Sequence, residues 1–384
     1  KNTTEVIMKF LLIALFATAA SALVAPLYNA KDRIEGSYIV VLNDGIDVDT
    51  SVFTITNSPF FSTFGGRVDR LYKSALNGFA VTLSPKALEL VRRFNFVKYV
   101  QEDQIMNAYA VASWGLDRVD ERSLTLDGSY RPRNNGAGVS VYIIDTGINP
   151  THVDYGGRAY TDSSMDFVTI NRGGIDCNGH GSHCAGTIGG TTYGVANQVS
   201  LFGVRVLSCI GSGSNTGVIG GMDWVAANHV KPAVASMSLG GGANQASDDA
   251  VTRMHNAGVT VAVAAGNSDE DASNASPARA PLAITVAASD NTDTRASFSN
   301  FGSLIDMFAP GVSITSCWYD SNTAANTISG TSMACPHIAG GAAVLLAENP
   351  SRTPTDVVNA MTSEATANVI ADPMGSANLL LYVG

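Results

Sequence analysis

Five short runs of apolar residues recur through the C-terminal part of the chain: Val139 to Ile144, Leu201 to Leu207, Val234 to Leu239, Val259 to Ala265 and Ala283 to Ala288. Glycine-started segments of helical character lie between them. A strand that is apolar on both faces has to be covered on both faces, so its alternation with helices predicts a parallel sheet flanked by helices, an α/β architecture. Sheets of this kind bind ligands beyond the carboxyl ends of their strands. Those ends are where chemistry is expected.

The N-terminal part reads differently. Met8-Lys9, the apolar stretch Phe10 to Ala19 and the small residues Ala20-Ser21-Ala22 have the pattern of an export signal cleaved after Ala22. Residues 1–7 precede the initiator and include Glu5, so they are read as a non-native leader, residues 8–22 as signal peptide, and the product as secreted and extracellular. The apolar stretch is shorter than the roughly 20 residues a membrane anchor needs. Strands at Tyr38 to Leu42, Arg67 to Ala75, Gly78 to Leu83 and Val97 to Gln101, with a helix from Pro85 to Phe94, make a small α+β unit within residues 23–108. Gln104 to Ser113 has little periodicity and reads as a linker into residues 109–384. Charged residues amount to 15%, the formal charge is −10 and no Lys/Arg run occurs, which argues against nucleic acid or an anionic membrane as partner. A soluble monomer acting on neutral or polymeric substrates is expected.

Three glycine-bounded termini carry residues suited to nucleophilic catalysis. Asp145-Thr146-Gly147 follows a buried strand directly, His180 opens a helix within Asn178-Gly179-His180-Gly181-Ser182-His183, and Ser332 opens another within Ser329-Gly330-Thr331-Ser332-Met333-Ala334. A serine hydroxyl becomes a useful nucleophile only when an adjacent base takes its proton, and that base needs a carboxylate to fix its tautomer. Asn267, closing another strand in Ala264-Ala265-Gly266-Asn267, offers an amide donor for the oxyanion formed on attack, beside the backbone N–H of Ser332. Any one of these segments alone is ordinary turn chemistry; their conjunction in the order Asp, His, Ser is not. His183 stands one helical turn from His180, but with no third ligand evident the pair makes a poor metal site and His183 is read as structural.

DTG around Asp145, GHGSHCAGT around His180, AAGN at Asn267 and GTSMA around Ser332 resemble the signature blocks of the subtilisin-like serine proteases. The likeness runs from Trp114 to the C-terminus. DCNGHG, VRVLSCIGSG, MSLGGG, SPAR, ASFSN and FAPG bring it nearest the proteinase K and aqualysin-like branch. It implies a subtilisin-like catalytic domain at 109–384, a triad of Asp145, His180 and Ser332, and Asn267 as oxyanion donor. It also implies substrate-binding edges at Gly211, Ser212 and Gly213 and at Ser238, Leu239 and Gly240, where an extended peptide adds as a strand. Recognition through main chain predicts broad cleavage of protein and peptide substrates, after large apolar or aromatic residues. The acids Asp269, Glu270 and Asp271 beside Asn267 offer a bias toward basic residues, but a solvated acidic loop is the simpler reading.

Further expectations rest on the same resemblance. Cys177 and Cys209 fall where the branch has a disulfide, whereas Ser273 and Leu304 stand at the positions of its second bridge. Cys184 matches a thiol beneath the catalytic histidine, leaving Cys317 and Cys335 as a candidate pair. Structural calcium is expected at Asp117, Asp120, Glu121 and Asp127, and at a second site using the carbonyls of Pro281 and Ala283 with the Asp306 carboxylate; no catalytic cofactor is expected. The segment from Tyr38 to about Asn107 resembles the family's ferredoxin-like pro-domain, an intramolecular inhibitor whose tail near Ile105 to Ala108 would occupy the active site until self-cleavage after about Ala108. Thr50 to Phe64, where the family has a helix, is short and rich in β-branched residues, which predicts a weakly folded pro-domain. A catalytically silent binding protein would lack a triad member, and a dinucleotide-binding oxidoreductase would carry GxGxxG after a strand; neither pattern is found.

Overall fold

The computed structural model describes residues 24–30, 33–74, 76–104 and 112–384. The expected leader, the signal peptide and the 105–108 tail lie outside the described residues. The chain divides into two units, residues 1–108 and 109–384.

The first unit is a five-stranded sheet in the spatial order Leu27–Tyr28, Val97–Gln104, Arg33–Leu42, Gly78–Leu83, Gly66–Tyr72. Its long strands pair antiparallel. Alternate residues Val40, Leu42, Phe79, Val81 and Val100 are buried against helix Pro85–Val91. Despite its β-branched content, most of Thr50 to Phe64 is helical: helices span Val48–Thr56 and Pro59–Phe64. The Asp47 carboxylate caps the first by accepting from Thr50 N at 2.8 Å. Burial of Val48 and Ile55 then outweighs a propensity deficit of a few tenths of a kcal/mol per residue.

In the second unit the apolar runs form the middle of a nine-stranded sheet. Its spatial order is Thr366–Ala367, Leu379–Leu380, Met307–Pro310, Ile284–Ser289, Val259–Ala264, Ala233–Met237, Ser140–Asp145, Ser200–Arg205, Ala159–Tyr160. Every pairing is parallel except that of the edge strand Thr366–Ala367. Alternation on strand Ser140–Asp145 assigns the two covers. Val141 and Ile143 pack with Cys184, Ile188 and Ala339 from helices His180–Gly189 and Thr331–Glu348, whereas Tyr142 and Ile144 pack with Met222, Val225 and Met254 from helices Asn215–Asn228 and Gln245–Ala257. The Thr331–Glu348 helix is buried along almost its whole length, which its small residues permit: a Cβ on Gly340 would lie 2.5 Å from the Val195 side chain. No helix among the described residues is long and apolar enough to cross a membrane.

Candidate active site

Asp145 ends strand Ser140–Asp145 with no solvent exposure, and its carboxylate accepts from Thr146 N at 2.7 Å. It also meets His180 Nδ1, at 2.8 Å through Oδ1 and 3.0 Å through Oδ2. A buried acid that accepts from Nδ1–H leaves Nε2 as the imidazole's unprotonated, solvent-facing nitrogen. Burial disfavours the imidazolium, yet the Asp145 carboxylate outweighs it and holds His180 well above the ordinary value of 6.5.

Asp176 builds the junction that makes this contact possible. One of its oxygens accepts from Thr146 Oγ1 at 2.9 Å and from Asn178 N and Gly179 N, and the other accepts from Ser182 N and Oγ. The strand-end turn and the start of the histidine helix are thereby tied to one carboxylate. In the sequence Asp176 is marked only as the first residue of the block DCNGHG.

Ser332 sits at the second position of its helix, and Pro336 four residues on has no N–H to bond the Ser332 carbonyl. That carbonyl accepts from outside the helix instead: from Ser238 Oγ at 2.9 Å and from the Cys184 thiol at 3.4 Å. Cys184 Sγ also lies 4.0 Å from His180 Nδ1, so one buried thiol touches both the serine and the histidine segments. The Ser332 hydroxyl donates to the Ser238 carbonyl at 3.2 Å, and among the described residues no hydrogen bond joins it to His180. Asn267 Oδ1 accepts from Thr331 N at 2.8 Å and Thr331 Oγ1 at 2.9 Å, which fixes the amide and turns Nδ2 outward. A Cβ built on Gly330 would lie 3.5 Å from that Nδ2 and 3.6 Å from Ser332 N, so glycine keeps open a space onto which two N–H donors converge.

Residues 136–379 match the subtilase family and residues 37–109 match the peptidase inhibitor I9 family. The chain belongs to the subtilase family. It is 50% identical to an extracellular serine proteinase of Thermus sp. (strain Rt41A) over 95% of this chain and 94% of that one. It is 43% identical to the alkaline serine protease ver112 of Corniculantispora psalliotae over 99% of each. A cold-adapted subtilisin-like serine proteinase of known structure superposes with a TM-score of 0.69 at 52% identity, covering 71% of this chain and 99% of that one.

Two neighbouring cavities open on the subtilase site. The larger, about 470 Å³, runs from His180 between the two expected edge segments and is lined by Gly211, Ser212 and Gly213 on one side and Ser238, Leu239 and Gly240 on the other. The second, about 330 Å³, adjoins Ser332 and Asn267 and has walls of small residues, among them Gly241, Gly266 and Ala275. Of the three acids nearby only Glu270 lines it. Asp269 is paired with Arg295 at 2.8 Å, and Asp271 caps Ser273 N at 2.9 Å.

Cys177 and Cys209 are bonded to each other, joining the segment before His180 to the edge segment before Gly211. The candidate bridge between Cys317 and Cys335 is absent: both are buried free thiols, one 3.6 Å from the Asp154 carboxylate and the other 3.6 Å from Ser236 Oγ. Each has its own polar neighbour, and burial raises their pKa values, that of Cys335 to about 12. His183 is fully buried, donates from Nε2 to the Ile314 carbonyl at 3.0 Å, and is pushed by burial down to about 4. It is a neutral, structural imidazole.

The expected calcium loops have oxygen-rich chemistry without converged carboxylates. Asp117 accepts from Asp127 N and Gly128 N, Asp127 pairs with Arg131, and Asp120 accepts from Arg131 N. Among the described residues these acids, with Glu121, do not bring three ligand atoms within 4.8 Å of one another; the only trio that does is Asp145, His180 and Cys184. Asp120 nevertheless keeps a buried oxygen without a partner, and burial, with Asp117 and Glu121 nearby, raises it to about 6. Asp306, which accepts from Thr285 N two residues beyond Ala283, is likewise raised by burial to about 6. Two carboxylates that resist ionising as they stand fit a hard cation supplying the missing positive charge.

Proposed function

We propose that the chain is a secreted serine endopeptidase, made as a zymogen, in which Ser332 is the nucleophile, His180 the general base and Asp145 the acid that orients it. The observation that carries this reading is the buried 2.8 Å contact between Asp145 and His180 Nδ1. Asp145 keeps the proton on Nδ1, so Nε2 is the atom that accepts from Ser332. Rotation about the serine Cα–Cβ bond transfers its hydroxyl from the Ser238 carbonyl to the imidazole, a contact that tightens when substrate binds. Oγ then attacks the peptide carbonyl, and the oxyanion receives hydrogen bonds from Asn267 Nδ2 and Ser332 N. His180 returns its proton to the leaving amine, and water, activated by the same imidazole, hydrolyses the acyl-enzyme.

The edges Gly211 to Gly213 and Ser238 to Gly240 receive the substrate as an added strand, and the cavity beside Asn267 takes a large apolar or aromatic side chain on the acyl side of the scissile bond. The I9 segment is the intramolecular inhibitor, released by self-cleavage near Ala108. The names of the relatives, extracellular and alkaline serine proteases, support export and the reaction class. Calcium has a structural role through Asp117, Asp120, Glu121 and Asp127, and through Pro281, Ala283 and Asp306. Labelling of the purified mature protein by a fluorophosphonate tests the reading: the adduct should sit on Ser332 and vanish, with peptidase activity, in Ser332→Ala. Activity surviving that substitution would refute it.

A further inference from the structure

His180 has one firm polar anchor, the Nδ1 contact with Asp145. A single anchor leaves the ring free to swing about that contact, so its aim at Ser332 depends on the backbone that carries it. The residue before it, Gly179, has φ of +111°, a conformation that side chains rarely adopt. Besides the Asp176 carboxylate, which accepts from Gly179 N at 3.0 Å, an aromatic ring restrains this joint. A Cβ on Gly179 would lie 2.4 Å from Trp318 Cε2 and 2.5 Å from Cζ2, so the indole rests directly on the glycine backbone.

Trp318 is itself held from three sides. Its backbone N–H donates to the Ala324 carbonyl at 2.8 Å across the turn of a hairpin between strands Ile314–Cys317 and Ala325–Ile328. Its ring meets His183 edge-on at 6.3 Å and Tyr319 at 5.9 Å. The hairpin is fastened to the histidine helix by His183 Nε2 donating to the Ile314 carbonyl and by Ser316 Oγ donating to the His183 carbonyl. We propose that Trp318 is a positioning residue for catalysis, a flat clamp on Gly179 that holds the His180 imidazole in line with Ser332.

The proposal rests on His180 being the base, and the test separates the two. Trp318→Ala, Trp318→Leu, Trp318→Phe and His180→Ala are made in the full chain and assayed on a peptide anilide well below each protein's Tm. Misplacing a reacting group by about 1 Å costs roughly 100-fold, so a partial loosening in Trp318→Ala and Trp318→Leu should lower kcat roughly 10-fold. KM should stay within about twofold, the acid limb of kcat/KM should move, and Trp318→Phe should recover most of the loss. A leucine variant that is folded but keeps the parent kcat and pH limb, while His180→Ala is inactive, overturns the positioning role and leaves the base intact. If Trp318→Ala does not fold, the comparison of Leu with Phe decides in the same way. Activity in His180→Ala would instead overturn the underlying reading.

Discussion

Asn267→Asp is the most informative single change, because the side chain makes two kinds of contact that this substitution separates. Its Oδ1 accepts from Thr331 N and Oγ1 at 2.8 and 2.9 Å, and aspartate retains that acceptor. Its Nδ2, 3.5 Å from the Cβ position of Gly330 and so beside the space next to Ser332 N, becomes an oxygen that cannot donate. Loss of one oxyanion donor costs about 100- to 1000-fold in kcat, ~2.7–4 kcal/mol, a magnitude established on a subtilisin and hence within this family. A negative charge where an anion develops should place Asn267→Asp at or beyond the upper end. KM should change by less than about twofold, since the donor acts on a charge present only in the transition state. Asn267→Ala should lose kcat similarly but also give up the Thr331 contacts, at about 1 kcal/mol for each hydrogen bond. The assay is steady-state hydrolysis of a peptide anilide at pH 8, with active sites counted by fluorophosphonate titration and Tm followed by calorimetry. An aspartate variant within threefold of the parent kcat, or one whose whole loss lies in KM, would refute the assignment of Asn267.

The acid limb of kcat/KM should have its midpoint above 6.5, because His180 must be neutral to act and Asp145 raises its pKa; a midpoint below that value contradicts the paired geometry. Asp120 and Asp306, raised to about 6, contribute stability that is fully present below the ordinary carboxylate value of 3.8 and lost as the pH rises through about 6. Chelation should therefore lower Tm more at pH 8 than at pH 5, with Asp306→Asn reducing the difference; equal losses at both pH values would exclude calcium at these acids. Arg118, with no side-chain exposure, bonds Asp293 through Nε and Nη2 at 2.7 and 2.8 Å. Asp293→Ala strands that guanidinium and should cost about 3–5 kcal/mol in denaturant unfolding of an inhibited, non-autolysing sample; a loss under about 1 kcal/mol would show the guanidinium to be solvated.

What could be read before folding, and what could not, follows from where each signal resides. The five buried strands of the second unit were legible because each is apolar on both faces, and their observed ends fall within two residues of those read from the sequence. Asp145, His180, Asn267 and Ser332 stood out because each lies within two residues of a glycine near a strand end or helix start. Their supporting contacts did not. Asp176 opens the DCNGHG block and Ser238 was expected at a substrate-binding edge, but the contacts by which these two and Trp318 support the site depend on partners distant in the chain. The expected Cys317–Cys335 bridge arose from counting leftover thiols, a procedure blind to the fact that one lies on a hairpin strand and the other on the buried helix. The β-branched content of Thr50 to Phe64 suggested weak folding because propensity is local, whereas the burial that stabilises the helix Val48–Thr56 depends on a sheet built from strands before and after it.

Pro336 joins the two kinds of information. A proline four residues after a helix-opening serine is visible in any reading, and the chemistry of the missing N–H requires that the serine's carbonyl bond to something outside its own helix. Only folding reveals that the acceptors' partners are Ser238, at the end of a neighbouring strand, and Cys184, beneath His180. A helix defect that would be a cost elsewhere thus fastens Ser332 to the segment at Ser238 and to the helix that carries His180. Local sequence therefore states the obligation, and only the tertiary structure reveals which residues meet it.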